Sequence, residues 1–241
     1  MIESYDVLLA VGGLVAGLMV GLTGMGGAVL VTPLLILGFG VPAAAAVSSD
    51  VVAAAVMKPV GASVHIRRRT VHWGLVLWLS VGSVPGVLIG TLIFSRLTAG
   101  SGIDQSLRTW IGLILLVALV AMVAKSQLLR HRPAEDISHQ DARRGRTAPI
   151  NKVPIALLGL VVGTLVGTTS VGSGSLVVTV LLLMYPLLRP SVLVGTDLVQ
   201  AAPMLIVGAL AHAGLGDVDW RITAALLVGQ VPGVWIGARM S

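Results

Sequence analysis

The 241-residue chain is 56% hydrophobic and only 11% charged, with a net charge of +6 and no cysteine. A soluble domain devotes roughly a quarter of its residues to charge, so most of this surface must face lipid. The composition excludes a water-soluble globule, a disulfide framework and a thiolate metal site, and the apolar runs lack the alternation of an outer-membrane barrel.

In chain order, the start Met1-Ile2-Glu3-Ser4-Tyr5-Asp6 is acidic. A cleavable signal opens on basic residues, so the first apolar run is expected to be retained as helix A, at 6–22. Helix B is predicted at 25–40, C at 42–64, D at 73–95 and E at 109–126. A polar stretch at 127–152 separates these from A′ at 153–169, B′ at 172–187, C′ at 190–213 and D′ at 220–238. About 20 apolar residues cross a bilayer as a helix, and a helix satisfies its own backbone polar groups there.

The second set repeats the first. Positions 47–91 align with 194–238 at a constant offset of 147, and 21 of these 45 positions are identical. Asp50 falls on Asp197, Met57 on Met204, His65 on His212 and Trp73 on Trp220. Val84-Pro85-Gly86-Val87 falls on Val231-Pro232-Gly233-Val234. Shared low complexity can match Ala and Val by chance, but not Asp, His, Trp and Pro at one offset.

Charge gives the orientation, because cytoplasmic loops collect Lys and Arg. The C–D loop holds Arg67, Arg68 and Arg69, whereas the C′–D′ loop holds Asp217, Asp219 and no basic residue. The central loop, rich in Arg130, Arg132, Arg143, Arg144 and Arg146, then falls inside and the N-terminus outside. Equivalent loops on opposite sides mean inverted repeats, a recurring plan of secondary transporters. The expected fold is an all-α integral membrane protein of two inverted-topology helical repeats, with about 8–9 transmembrane or re-entrant helices. The N-terminal repeat occupies 1–127, a cytoplasmic basic loop 128–152, and the C-terminal repeat 153–241. Helix E has no counterpart, so a truncated C-terminus lacking a last helix is expected, with a nine-helix protein as the alternative.

Two junctions carry the candidate binding site. A–B reads Thr23-Gly24-Met25-Gly26-Gly27, and A′–B′ reads Thr169-Ser170-Val171-Gly172-Ser173-Gly174-Ser175. Short apolar segments interrupted by Gly or Pro in corresponding positions point to a transporter's site. Breaking a helix inside the membrane frees N–H groups at the positive dipole end, which suits an anion. The competing reading is close helix packing through small residues.

Asp50, Asp197 and Lys58 are ionisable groups in apolar spans, which are costly and usually functional. The two acids could carry protons, or could cap helix ends. Lys58 lies too far along helix C to pair with Asp50, roughly 12 Å on, and precedes Pro59, where a kink is expected. It could hold an anion, although snorkelling to the inner interface is the slightly preferred reading. His65 and His212 end C and C′ and are read as proton gates or interfacial anchors. No metal cluster, triad, P-loop or dinucleotide fingerprint occurs, and no cofactor is expected. The central loop is expected to fix topology and touch anionic membrane lipid; nucleic acid is not an expected partner, and a homo-oligomer is open.

These motifs resemble the sulfite exporter TauE/SafE family of membrane permeases. The resemblance rests on GLTGMGGAVLVTPLLI, SSDVVAAAVMKPVGASVHIRRRTVHW and SVPGVLIG, with the second-half echoes VGTTSVGSGSLVVTVLLL and GTDLVQAAPMLIVGALAH. It implies an inner-membrane transporter of sulfur-containing anions such as sulfite, sulfoacetate or other organosulfonates. The expected function is a secondary transporter, open to proton coupling, rather than an enzyme. The alternatives are a membrane-embedded enzyme acting on lipid and a non-transporting structural subunit of a membrane complex.

Overall fold

The computed structural model describes residues 2–24, 28–98 and 150–241, with the isolated positions 109, 112, 113, 116, 120 and 127. Helix E and nearly all of the basic loop expected from the sequence lie outside the described residues. The described chain is helical: α1 Ile2–Thr23, α2 Ala28–Pro33, α3 Ala43–Arg67, α4 Trp73–Thr98, α5 Lys152–Thr169, α6 Ser173–Met184, α7 Pro190–Leu215 and α8 Trp220–Met240. Six of these (α1, α3, α4, α5, α7 and α8) are long and apolar enough to cross a membrane. The protein is a multi-pass membrane protein.

The breaks between helices follow local chemistry. α1 ends where Gly24 turns left-handed (φ 66°) while its N–H still reaches Val20 O at 2.8 Å. α5 ends on the same device, but with Ser170 rather than glycine at φ 63°. A side chain in that conformation is uncommon. Pro190 opens α7 at its first turn, where the missing donor costs nothing. Asp219 caps α8, its carboxylate accepting from the N–H groups of Arg221 and Ile222 at 3.0 and 3.1 Å.

Helix B departs from the single helix expected at 25–40. After Pro33 the backbone widens into a π-helical turn, Leu34–Gly38, closed by the Phe39 N–H on Leu34 O at 3.1 Å. Proline supplies no N–H and its ring crowds the preceding turn. A wider turn relieves that crowding without ending the segment. α6, with 12 residues, is also short. At 1.5 Å per residue it covers roughly 18 Å, too little to cross an apolar layer of ~30 Å.

The two halves interlock instead of standing side by side. α3 and α7 form the buried centre, α1 lies along α8, and α4 lies along α5. α3 and α7 run antiparallel: the start of α3 (Ser48) meets the end of α7 (His212), while the end of α3 (His65) meets the start of α7 (Gly195). The outer pairs run parallel and are sealed by glycine. Gly82, Gly86 and Gly90 of α4 face the carbonyls of Ala156, Leu160 and Thr164, and Gly159, Gly163 and Gly167 of α5 face those of Leu79, Ser83 and Val87. The other pair repeats the pattern, with Gly229, Gly233 and Gly237 of α8 against α1, and Gly13, Gly17 and Gly21 of α1 against α8. Lipid is as apolar as a leucine side chain, so burying apolar surface gives little drive here. Close backbone approach through small residues supplies van der Waals contact instead. The glycines of α1 and α5 correspond at an offset of 146, one residue short of the 147 that relates the later helices.

Candidate functional site

Two polar clusters interrupt the apolar centre. The first is built on Lys58, in α3, which is only 1% exposed. Its ammonium donates to Ser173 Oγ at the start of α6 (2.8 Å) and meets Asp197 Oδ2 of α7 at 3.5 Å. Gln200, one turn along α7, donates from Nε2 to Asp197 Oδ1 at 3.4 Å, and its own Oε1 accepts from Ser83 Oγ of α4 at 3.2 Å. A chain of polar contacts thus runs through α4, α7, α3 and α6. Lys58 does not snorkel, which corrects the reading preferred from sequence. Its partner is a carboxylate from the other half of the chain, close enough to compensate the charge without leaving the bundle.

The second cluster is built on Asp50, also in α3 and also buried. Its Oδ2 accepts from Thr32 Oγ1 at 3.0 Å and from Ser170 Oγ at 2.9 Å. Gln230 of α8 also reaches this carboxylate, and its Oε1 has no partner among the described residues. The left-handed turn at Ser170 aims its hydroxyl across the bundle to α3, so a strained backbone position carries a polar contact. The clusters correspond through the 147 offset, which takes Asp50 to Asp197 and Ser83 to Gln230. They differ in charge, because Lys58 corresponds to Leu205. One acid therefore has a buried cation beside it, and the other is held by hydroxyl and amide donors.

The remaining predicted residues are distributed around these clusters. Thr169 donates to Leu165 O at 2.8 Å and accepts from the Val171 N–H at 3.3 Å, stabilising the break before α6. Thr23 donates to Met19 O at 2.6 Å on the turn above. Gly24 lies against Val194, Gly172 takes φ 115°, and Gly174 is buried in α6. Gly26 and Gly27 lie outside the described residues. The glycines just before the breaks, Gly21 and Gly167, belong to the helix-packing faces, whereas Ser170 and Ser173 belong to the polar clusters. The close-packing reading thus applies to the glycines before the breaks, and the serines after them make the polar contacts.

Neither His65 nor His212 sits at an exposed helix end, as an interfacial anchor would. Both are buried. His212 bridges Ser48 Oγ (3.0 Å, at Nδ1) and Gly167 O (2.8 Å, at Nε2), and its ring lies 4.7 Å from that of Phe94. Since the Gly167 carbonyl can only accept, Nε2 carries a proton. His65 bonds Thr70 Oγ1 at 2.9 Å and packs against Gly195, the counterpart of Ser48. Two further contacts exchange under the same offset: Ser49 Oγ accepts from Asp219 N–H at 2.9 Å, and Thr196 Oγ1 accepts from His72 N–H at 3.0 Å.

Sequence reasoning missed Thr32, Ser83, Gln200 and Gln230. Gln200 and Gln230 carried a readable signal, since each is a large amide within an apolar span; the hydroxyls did not, being common in membrane helices. Among the described residues no group of three His, Cys, Asp or Glu side chains could hold a metal ion.

Buried charges within long apolar helices mark a functional site in a membrane protein. The sulfite exporter TauE/SafE family model matches residues 9–241, and the chain belongs to that family. It is 34% identical to the probable membrane transporter protein YjnA of Bacillus subtilis (strain 168), over 95% of this chain and 87% of that protein. It is 25% identical to the probable membrane transporter protein YunE of the same organism, over 97% of this chain and 86% of that protein. A probable membrane transporter protein of Xylella fastidiosa (strain 9a5c) shares 29% identity over the whole of this chain and 86% of its own length. No solved structure matches the chain.

Proposed function

We propose that the protein is a secondary transporter of small sulfur-containing anions, such as sulfite or organosulfonates, across the bacterial cytoplasmic membrane. The observation that carries this reading is Lys58, a buried ammonium shared between Ser173 and Asp197. A dehydrated anion needs a fixed cation and hydroxyl donors, and the start of α6 brings both together. Asp197 occupies that cation while no substrate does. An arriving anion takes its place, and the carboxylate is left to Gln200.

Asp50 serves as the proton-coupling group in this reading, with Thr32, Ser170 and Gln230 around it. Alternating access follows from the pairwise exchange of contacts between halves: one half rocks against the other along the antiparallel α3–α7 seam. The loop bearing Arg67, Arg68 and Arg69 faces the cytoplasm and the N-terminus faces outward, as the basic residues favour. The reading involves no chemical conversion of the anion.

The test is uptake into proteoliposomes of sulfite, sulfate, taurine and sulfoacetate, with and without a pH gradient. Saturable flux of one sulfur anion, abolished by Asp197→Asn, is the expected result. Asp50→Asn should leave no flux that responds to the pH gradient. Absence of flux for all four, by protein that remains folded and monodisperse, would overturn the assignment.

A further inference from the structure

A cavity of about 640 Å³ lies between α3 and α8, away from the two polar clusters. α3 lines it with Val60, Ser63, Val64, Arg67 and Arg68, and α8 with Trp235 and Arg239. The spacing explains the shared face: 60, 63, 64 and 67 recur at three to four residues, as do 235 and 239. No carboxylate lines the cavity, and among the described residues no acid is ion-paired with its three arginines.

The three guanidinium groups are held differently. Arg68 donates to the Ala238 and Arg239 carbonyls at the end of α8, fixing the groove's width. Arg239 lies over the Trp235 ring, 3.5 Å from its centroid, which orients its charge. Arg67 is exposed at the mouth. Below the arginines the walls are Val60 and Val64, and Val56, one turn before Val60 along α3, is an exposed apolar side chain. A cationic end above an apolar flank is complementary to a phospholipid, whose anionic phosphate sits above its acyl chains.

We infer that this groove binds the headgroup of an anionic phospholipid. Arg67 and Arg239 meet the phosphate, Arg68 adds its charge while its guanidinium stays on the α8 carbonyls, Trp235 lies at the glycerol level and the acyl chains run along the apolar flank. Basic pockets between membrane helices hold anionic headgroups in this way. A lipid seated there would bridge α3, the carrier of Asp50 and Lys58, to α8, the carrier of Gln230. It would thereby tie the two halves together at one end of the bundle.

The experiment is native mass spectrometry of the full chain in detergent, offered phosphatidylglycerol, phosphatidylcholine or inorganic phosphate alone. Phosphatidylglycerol should be retained in preference to phosphatidylcholine. Arg67→Gln and Arg239→Gln should each lower its occupancy about fivefold. Ser63→Asp, which adds a negative charge at an exposed position without removing a contact to α8, should lower it as well. Arg96→Gln, at the far end of α4, should have no effect, and melting temperatures of all variants give the check on folding. Equal retention of both lipids, retention unchanged in the groove variants, or binding of inorganic phosphate without preference for the lipid would each overturn the inference.

Discussion

At the scale of single residues, charge burial governs the centre of this protein. Lys58 and Asp197 are both essentially inaccessible, and taking two charges out of water costs several kcal/mol each before their attraction offsets it. Removing one partner leaves the other uncompensated. Asp197→Asn or Lys58→Leu alone should therefore destabilise the fold by about 3 kcal/mol or more. The double variant, which removes both buried charges together, should recover most of that loss. Apparent melting temperatures of the four proteins in detergent give the cycle, and additive losses would show that the pair is not coupled. The double variant should still carry no anion, which separates the structural contribution of the pair from its transport role. Lys58, Asp197 and Asp50 were legible as charges, because an ionisable residue stands out in an apolar run. Their pairing was not: Lys58 and Asp197 are 139 residues apart, and no spacing rule connects them.

At the scale of elements, glycine does the work that leucine does in soluble bundles. A Cβ added at Gly82 would lie 1.8 Å from the Ala156 carbonyl oxygen, and α4 and α5 would have to separate to admit it. Gly82→Ala should cost about 1–3 kcal/mol by overpacking. Gly214, near the end of α7, has nothing within 4 Å of such an atom, so Gly214→Ala should be neutral or slightly stabilising. Thermal unfolding of the two variants tests the contrast, and equal effects would mean that the glycine faces are not tightly packed. Among the described residues, the positions of the long helices were readable from the apolar runs to within a few residues, since length and hydropathy fix them. The π-helical turn after Pro33 was not readable, because proline marks where a helix is strained without saying how the strain resolves. The glycine faces are visible as spacings of four in α1, α4, α5 and α8, yet the sequence alone does not say which helix each face meets.

At the scale of the whole molecule, the arrangement is an exchange between halves. α1 lies along α8, α4 along α5, and α3 runs antiparallel to α7. The loops following α3 and α7 consequently lie at opposite ends of the bundle. Because the chain contains no cysteine, single substitutions at Arg67 and Ala213 give clean probes. They should react with a membrane-impermeant thiol reagent from opposite sides, and reaction from one side only would contradict the membrane orientation proposed from the basic loops. The duplication itself was legible from one ungapped offset, and the all-helical membrane class from composition. How the halves interlock was not, because a repeat relates residues by sequence and not by contact.

In the proposed carrier, buried Lys58 exchanges its own carboxylate partner for a travelling anion. Counterflow tests that most directly: proteoliposomes loaded with unlabelled sulfite are diluted into a trace of labelled sulfite, and accumulation is followed with time. A transient overshoot of label that disappears in Lys58→Leu is the predicted result. Uptake that never exceeds equilibrium and is unchanged in Lys58→Leu would contradict both the carrier and its site.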